Sequence, residues 1–154
     1  MKDCICWIII GLILFGSYGI GGVVAKREVM KNCTSPTKYQ SKKIEDIVSS
    51  FECIAGKKVD LEFYVENEED NVLGRIYPMM DIVLIDQKLF KKEVELRVVV
   101  YHEILHSFKV DHIEGDYIMN SCQMDIVDYL RPSVVDYYLE TNLPVYFKWE
   151  YKKT

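Results

Sequence analysis

Residues 102–112 read HEILHSFKVDH, and they contain all three histidines of the chain. Residues four apart on a helix project from one face, so His102 and His106 can offer two imidazole nitrogens to one ion about 2.0–2.1 Å away. If the helix ends near Lys109 and the chain turns back, His112 adds a third nitrogen and leaves a fourth position open. Such an open three-nitrogen site is typical of catalytic zinc. The sequence therefore predicts a Zn²⁺ site held by the three histidines.

A carboxylate follows the first of these histidines directly. Glu103 lies beside the predicted ion without ligating it, where it can take a proton from water and pass it to a leaving amine. By chance, His-Glu-x-x-His occurs in about half a percent of chains of this composition, and the third histidine lowers that to roughly one in ten thousand. A surface helix with incidental histidines is therefore the weaker interpretation.

Hydrophobic periodicity and turn residues predict an α+β fold around this motif. An amphipathic helix is expected to begin at Ser35-Pro36 and to end before Gly56. The predicted strands and later helices are, in order, a strand over Val59–Glu66, a short strand over Leu73–Tyr77, a strand over Ile82–Ile85, a helix over Val94–Phe108 and a helix from Pro132 to about Thr141. Residues 109–123 are predicted to be irregular, and the fold of the tail from 142 to 154 stays open.

The first 25 residues differ from the rest of the chain. Residues 4–25 carry no charge and are long enough to cross a bilayer as a helix. Lys2 at the start and small residues ending at Ala25 also fit a signal peptide. The basic residues within 26–31 outnumber Lys2, which by the positive-inside bias favours a cytoplasmic C-terminal part. This bias counts against simple export. The protein is nevertheless expected to be membrane-anchored or secreted; its orientation stays open, with the extracytoplasmic side favoured.

Length and charge limit the remaining organisation and partners. The chain of 154 residues suits one compact domain. We predict a signal peptide or membrane anchor over 1–25, a linker over 26–34 and a single domain over 35–154. The net charge of -5 offers no basic footprint for nucleic acid. The oligomeric state is left open.

Three cysteines lie outside the apolar segment, at Cys33, Cys53 and Cys122. Three thiols allow at most one disulfide among them. A bond between Cys33 and Cys53 in an oxidising compartment and three buried free thiols both stay open.

The motif at 102–112 resembles the signature of the metzincin zinc peptidases, in which the third histidine follows a turn and a later methionine lies under the metal. Ile118-Met119-Asn120 is similar to the Met-turn of that family. Residues 74–78 and 81–86 resemble the edge strand and the following strand of its matrixin branch. The resemblance covers about residues 73–140. It implies a small metzincin-like catalytic domain that hydrolyses peptide bonds, with Glu103 as general base and Met119 as the residue beneath the metal.

The resemblance also implies how a peptide or protein substrate binds. An extended peptide would lie antiparallel to the edge strand and pair with its backbone. The residues of this strand are Leu73, Gly74, Arg75, Ile76 and Tyr77.

The chain departs from the family pattern at three places. Lys109 stands where the family has a glycine. The family uses glycine there because the turn favours positive φ, and a lysine in that conformation costs roughly 1 kcal/mol. The propeptide cysteine motif of vertebrate matrixins is not matched at Cys33. Ser121 replaces the tyrosine that astacin-like members carry two residues after the methionine.

The sequence leaves two alternatives open. In a gluzincin-like peptidase the third ligand is a glutamate on a later helix, for which Glu140 is the candidate, and His112 would be incidental. In a non-catalytic, membrane-tethered protein the metal would only stabilise the fold. Glu103 argues against this second alternative, because a structural site does not need a neighbouring carboxylate.

Overall fold

The computed structural model describes residues 26, 29–67, 72–120 and 131–148 of the chain. Within these residues, three helices pack with one mixed four-stranded sheet, as the sequence predicts for the fold class. The strands are β1 (Cys33–Thr34), β2 (Glu62–Glu66), β3 (Gly74–Tyr77) and β4 (Ile82–Asp86), and the helices are α1 (Lys38–Ala55), α2 (Glu93–Ser107) and α3 (Pro132–Tyr146). Two short 3₁₀ helices, Met30–Asn32 and Gln87–Lys91, precede β1 and α2.

The strands follow the order β1-β2-β4-β3 across the sheet. β2 and β4 are parallel, while β1 pairs with β2 and β3 pairs with β4 in antiparallel fashion. All five residues of β4 are buried, because a strand pairs on each of its sides. This topology places β3 at one edge of the described sheet, next to α2.

Helix α1 begins two residues later than the sequence predicts. Its N-cap is Thr37, whose hydroxyl accepts a hydrogen bond from the Gln40 backbone, while the Gln40 side chain accepts one from the Thr37 backbone. This capping box satisfies two amide groups at once, which a start at Ser35 would not achieve. The predicted end is confirmed, since Gly56 follows the helix with φ of 64°.

Helix α2 is buried on most of its surface, between the sheet and the other two helices. Its bounds agree with the prediction to within one residue at each end. The hydrophobic core of the domain contains much of α2, together with residues of α1, β4 and α3. Fully buried members with large side chains include Phe51, Leu84, Leu96, Tyr101, Ile104, Leu105 and Phe147. His102 and His106 thus lie on the most buried helix among those described.

Helix α3 starts at Pro132 as predicted but continues to Tyr146, about five residues further than expected. It passes through Pro144, and it remains helical because Leu143 and Tyr146 are buried against the core. An ion pair fixes α3 to α2: Arg97 Nη1 lies 2.7 Å from Asp136 Oδ1. The tyrosine hydroxyl of Tyr101 donates to the same oxygen at 2.6 Å.

The segment predicted to be a linker, residues 26–34, takes part in the fold where the structure describes it. Its last two residues form β1, and Lys26 makes a 3.0 Å ion pair with Glu62 of β2. Cys33 and Cys53 are not joined to each other by a disulfide; Cys33 is partly buried, and Cys53 is exposed instead of buried. Cys122 and the predicted signal peptide or anchor over 1–25 lie outside the described residues. None of the helices in the described part of the chain has the length and apolarity needed to cross a membrane.

Candidate metal centre

The three histidines meet through their Nε2 atoms. Nε2 of His102 lies 3.0 Å from that of His106 and 3.1 Å from that of His112, and the last two are 3.1 Å apart. Ligands of an ideal tetrahedral zinc ion with bonds of about 2.0–2.1 Å lie about 3.3–3.4 Å from each other. The triangle of Nε2 atoms is slightly smaller than this ideal one. Its three corners can therefore all reach one ion placed above the plane of the triangle. No other group of three or more potential metal ligands occurs among the described residues.

Backbone carbonyls fix the other ring nitrogen of two of these histidines. His102 Nδ1 lies 2.7 Å from the Ile118 carbonyl oxygen, and His106 Nδ1 lies 2.8 Å from that of Val110. A carbonyl can only accept, so each Nδ1 carries the proton and each neutral ring presents an unprotonated Nε2. Such bonds orient metal-binding histidines and make them better donors. The lone pairs therefore converge on the centre of the triangle, which is a donor arrangement that fits a cation.

A tight turn after α2 brings His112 back to the helix. Helix α2 ends at Ser107, and Lys109 has φ of 64°, the conformation expected at this position from the motif resemblance. The Lys109 backbone amide donates to the His106 carbonyl at 2.9 Å. The same turn places the Val110 carbonyl against the His106 ring. One strained residue thus supports two of the three histidines.

Burial favours the neutral form of these imidazoles. Desolvation lowers the pKa of His102 to about 4, although the bond to the Ile118 carbonyl acts in the opposite direction. Desolvation also lowers the pKa of His106. Both rings are therefore neutral near pH 7, which is the state that binds a metal ion.

The side chain of Glu103 extends from α2 toward the edge strand β3. It is buried, with 6% of its surface exposed, and burial raises its pKa to about 8. A Cβ atom built on Gly74 would lie 2.9 Å from Glu103 Oε1. The carboxyl group thus lies against the backbone of β3, the strand along which the family resemblance implies substrate binding, and Gly74 leaves the room for it.

Met119 is completely buried and belongs to the turn that carries the Ile118 carbonyl. The structure thus places the predicted Met-turn against His102. The same turn contains a residue that the sequence did not single out, Asp116. Its carboxylate accepts hydrogen bonds from the amides of Ile118 at 2.8 Å and Met119 at 2.6 Å. An Asp side chain that accepts hydrogen bonds from the backbone amides two and three residues later is a common local turn motif. The link between Asp116 and the histidines is not visible in the sequence.

Glu140, the third ligand of the gluzincin-like alternative, does not join the histidines. It is exposed on α3 and lines an open cavity between α1 and α3 together with Cys53 and Asp136. The histidine group contains His112 in its place. The described structure thus gives no support to the gluzincin-like ligand set.

No protein-family model matches the chain, and no curated protein or solved structure shows a significant match to it.

Proposed function

We propose that this protein is a zinc-dependent endopeptidase of the metzincin type, with His102, His106 and His112 as the metal ligands. The observation that carries the proposal is the convergence of three Nε2 atoms within 3.1 Å of one another. Two of the rings are anchored through Nδ1, so the donor set is arranged before any ion binds. Three imidazoles leave a coordination position free, which distinguishes catalytic from structural zinc.

A zinc ion held there supplies Lewis acidity, which polarises a carbonyl group and lowers the pKa of a water ligand. Glu103 performs the proton transfers. Its carboxylate accepts the proton of the attacking water and delivers it to the amine nitrogen of the leaving group. Burial alone holds the pKa of Glu103 at about 8, and a nearby positive charge favours the ionised form that a general base requires.

We further propose that a peptide substrate binds along β3. The Asp86 amide donates to the Leu73 carbonyl at 3.0 Å, so Leu73, like Arg75 and Tyr77 after it, directs its backbone groups toward β4. The backbone groups of Gly74 and Ile76 then face away from β4, where a second strand can pair with them. Because Gly74 also touches Glu103, a peptide paired there runs past the general base.

The apolar segment at 4–25 supports a proposal about location. A charge-free run of this length inserts into a bilayer or directs export. We propose that the peptidase domain acts either attached to a membrane or after secretion, with peptides or proteins as its partners.

The test of the function is the variant Glu103→Gln. It should bind zinc as the parent does and lose at least about 10²-fold in peptide hydrolysis, because general acid–base help contributes about 10²–10⁴-fold. Glu95→Gln is the matched control: Glu95 is also buried on α2, where it pairs with Lys92 at 2.6 Å, and its loss should leave hydrolysis unchanged. Zinc content is measured by metal analysis and hydrolysis with a peptide library.

Two results would reject the proposal. A parent protein that binds zinc and cleaves no peptide in a broad library would favour the non-catalytic metal-binding alternative. Unchanged hydrolysis in Glu103→Gln would also contradict it, because the proposed mechanism provides no other base for the water.

A further inference from the structure

Asp116 is a buried carboxylate in the irregular segment between α2 and α3. Only 6% of its surface is exposed. Four groups donate hydrogen bonds to it: the backbone amides of Ile118 and Met119, and the hydroxyls of Tyr138 and Tyr146. A buried carboxylate is costly unless it is hydrogen-bonded in this way, so the fold is built around this group.

One side of this network leads to the metal centre. The two amides hold residues 116–119 in a turn, and the Ile118 carbonyl of that turn lies 2.7 Å from His102 Nδ1. The turn also makes a hydrogen bond with the segment that contains His112. The Ile113 amide, next to His112, donates to the Met119 carbonyl at 3.0 Å.

The other side of the network leads to α3. The Tyr146 hydroxyl lies 2.9 Å and 3.0 Å from the two carboxylate oxygens of Asp116. The Tyr138 hydroxyl lies 3.2 Å from Oδ2, and it accepts a hydrogen bond from the Tyr117 amide at 3.0 Å. Helix α3 therefore holds the carboxylate in place, and the carboxylate holds the turn.

We propose that Asp116 is a positioning residue of the metal centre. Its carboxylate, anchored to α3 by Tyr146 and Tyr138, fixes the turn whose carbonyl keeps the proton of His102 on Nδ1. The Nε2 lone pair of His102 is then directed at the metal position. This inference rests on the proposed zinc site but not on peptide hydrolysis, and it gives α3 a function at a centre to which it contributes no ligand.

The experiment compares Asp116→Ala with Asp116→Asn in the full-length protein. Asp116→Ala should weaken zinc binding about 10–100-fold, the usual effect of removing a group that orients a metal ligand. Asparagine keeps an oxygen that can accept from both amides, so Asp116→Asn should recover most of the affinity. Zinc affinity is measured by competition with a chromophoric chelator at fixed pH.

A second measurement does not depend on zinc. In the metal-free protein, ¹⁵N NMR of the imidazoles should show the proton of His102 on Nδ1 in the parent and a mixture of tautomers in Asp116→Ala. Tyr146→Phe removes a single donor and should lower zinc affinity by less, about 2–10-fold. This milder variant tests the proposal if Asp116→Ala fails to fold.

Asp136→Ala is the matched control, because it removes a carboxylate that also ties α3 to α2, through Arg97, but lies outside the turn. It should lower stability and leave zinc affinity unchanged. The proposal is overturned if Asp116→Ala or Tyr146→Phe leaves both zinc affinity and the His102 tautomer unchanged. It is also overturned if Asp136→Ala weakens zinc binding as much. A parent that binds zinc without cleaving peptides would refute the peptidase function and leave this proposal standing.

Discussion

The backbone of Gly74 in β3 is packed directly against the side chain of Glu103 in α2. A Cβ at position 74 would lie 2.6 Å from Val99 Cγ1 and 2.9 Å from Glu103 Oε1. Both distances are shorter than real Cβ contacts allow. Gly74 is therefore required for close approach of strand and helix, and not for an unusual backbone angle.

Gly74→Ala should impair hydrolysis while zinc stays bound. The added methyl group displaces Glu103, the more flexible of its two neighbours, and a small misplacement of a catalytic group costs up to about 10²-fold in rate. We expect kcat/KM to fall about 10–100-fold and the free energy of unfolding to fall by about 1–3 kcal/mol through overpacking. Peptide kinetics, metal analysis and denaturant unfolding measure the three quantities.

Gly56→Ala is the control for the loss of stability alone. Gly56 has φ of 64° and nothing within 4 Å of its Cβ position, so the substitution strains the backbone without touching Glu103. It should destabilise the fold by about 1 kcal/mol and leave kcat/KM unchanged. An equal loss of kcat/KM in both glycine variants would mean that Gly74 acts only through stability.

Removing His112 should separate the two possible ligand sets. His112→Ala is expected to lose most of the bound zinc, because two imidazoles hold the ion much less tightly than three. Glu140→Ala should retain one zinc per chain, since Glu140 lies on α3 away from the histidines. Metal analysis after dialysis against a weak chelator gives the answer. Zinc retained in His112→Ala and lost in Glu140→Ala would restore the gluzincin-like ligand set.

Local signals in the sequence were sufficient for the elements that carry the site. The spacing of the histidines and the strand–helix order follow from residues close in sequence, and the structure reproduces them. The positive φ of Lys109 was expected only from the resemblance to the metzincin motif, because a lysine by itself does not favour that conformation. The same holds for the end of α1 at Gly56, where a single residue type decides the conformation.

The elements that depend on distant contacts were not predictable in this way. β1 is two residues long and exists through pairing with β2, about thirty positions later. Helix α3 continues past Thr141 and through Pro144 because Tyr146 is buried and bonded to Asp116. Asp116 itself has ordinary neighbours in sequence; its role depends on tyrosine hydroxyls 22 and 30 residues away.

The apolar N-terminal segment predicts how the full-length chain fractionates. The chain with residues 1–25 present should sediment with membranes or be exported, whereas a chain that begins near Lys26 should stay in solution and fold. Determination of the mature N-terminus distinguishes cleavage after Ala25 from a retained anchor. A soluble full-length chain with an intact Met1 would contradict the prediction.

The buried carboxyl group of Glu103 predicts an unusual pH dependence of stability in the protein stripped of zinc. Its folded-state pKa is about 8, raised by desolvation from the ordinary 4.5. Between these two values the folded state binds the proton more tightly than the unfolded state, so stability falls as the pH rises from about 4.5 to 8. The contribution of the protonated carboxyl group is fully present below pH 4.5 and lost above pH 8.

Glu103→Gln removes this ionisation, and the chelated variant should therefore become more stable than the chelated parent as the pH rises. The two should unfold alike near pH 4.5, and by pH 8 the variant should be more stable by about 2–5 kcal/mol, since one pKa unit corresponds to about 1.4 kcal/mol. His102 remains in both chains. Its pKa of about 4 makes both lose stability as the pH falls from 6.5 toward 4, and this loss cancels in the comparison. Chemical denaturation at pH 4.5, 6 and 8 in the presence of chelator measures the difference. A difference that is constant across this range would show that the Glu103 carboxyl group ionises as it does in solvent, and the burial of this group against β3 would have to be revised.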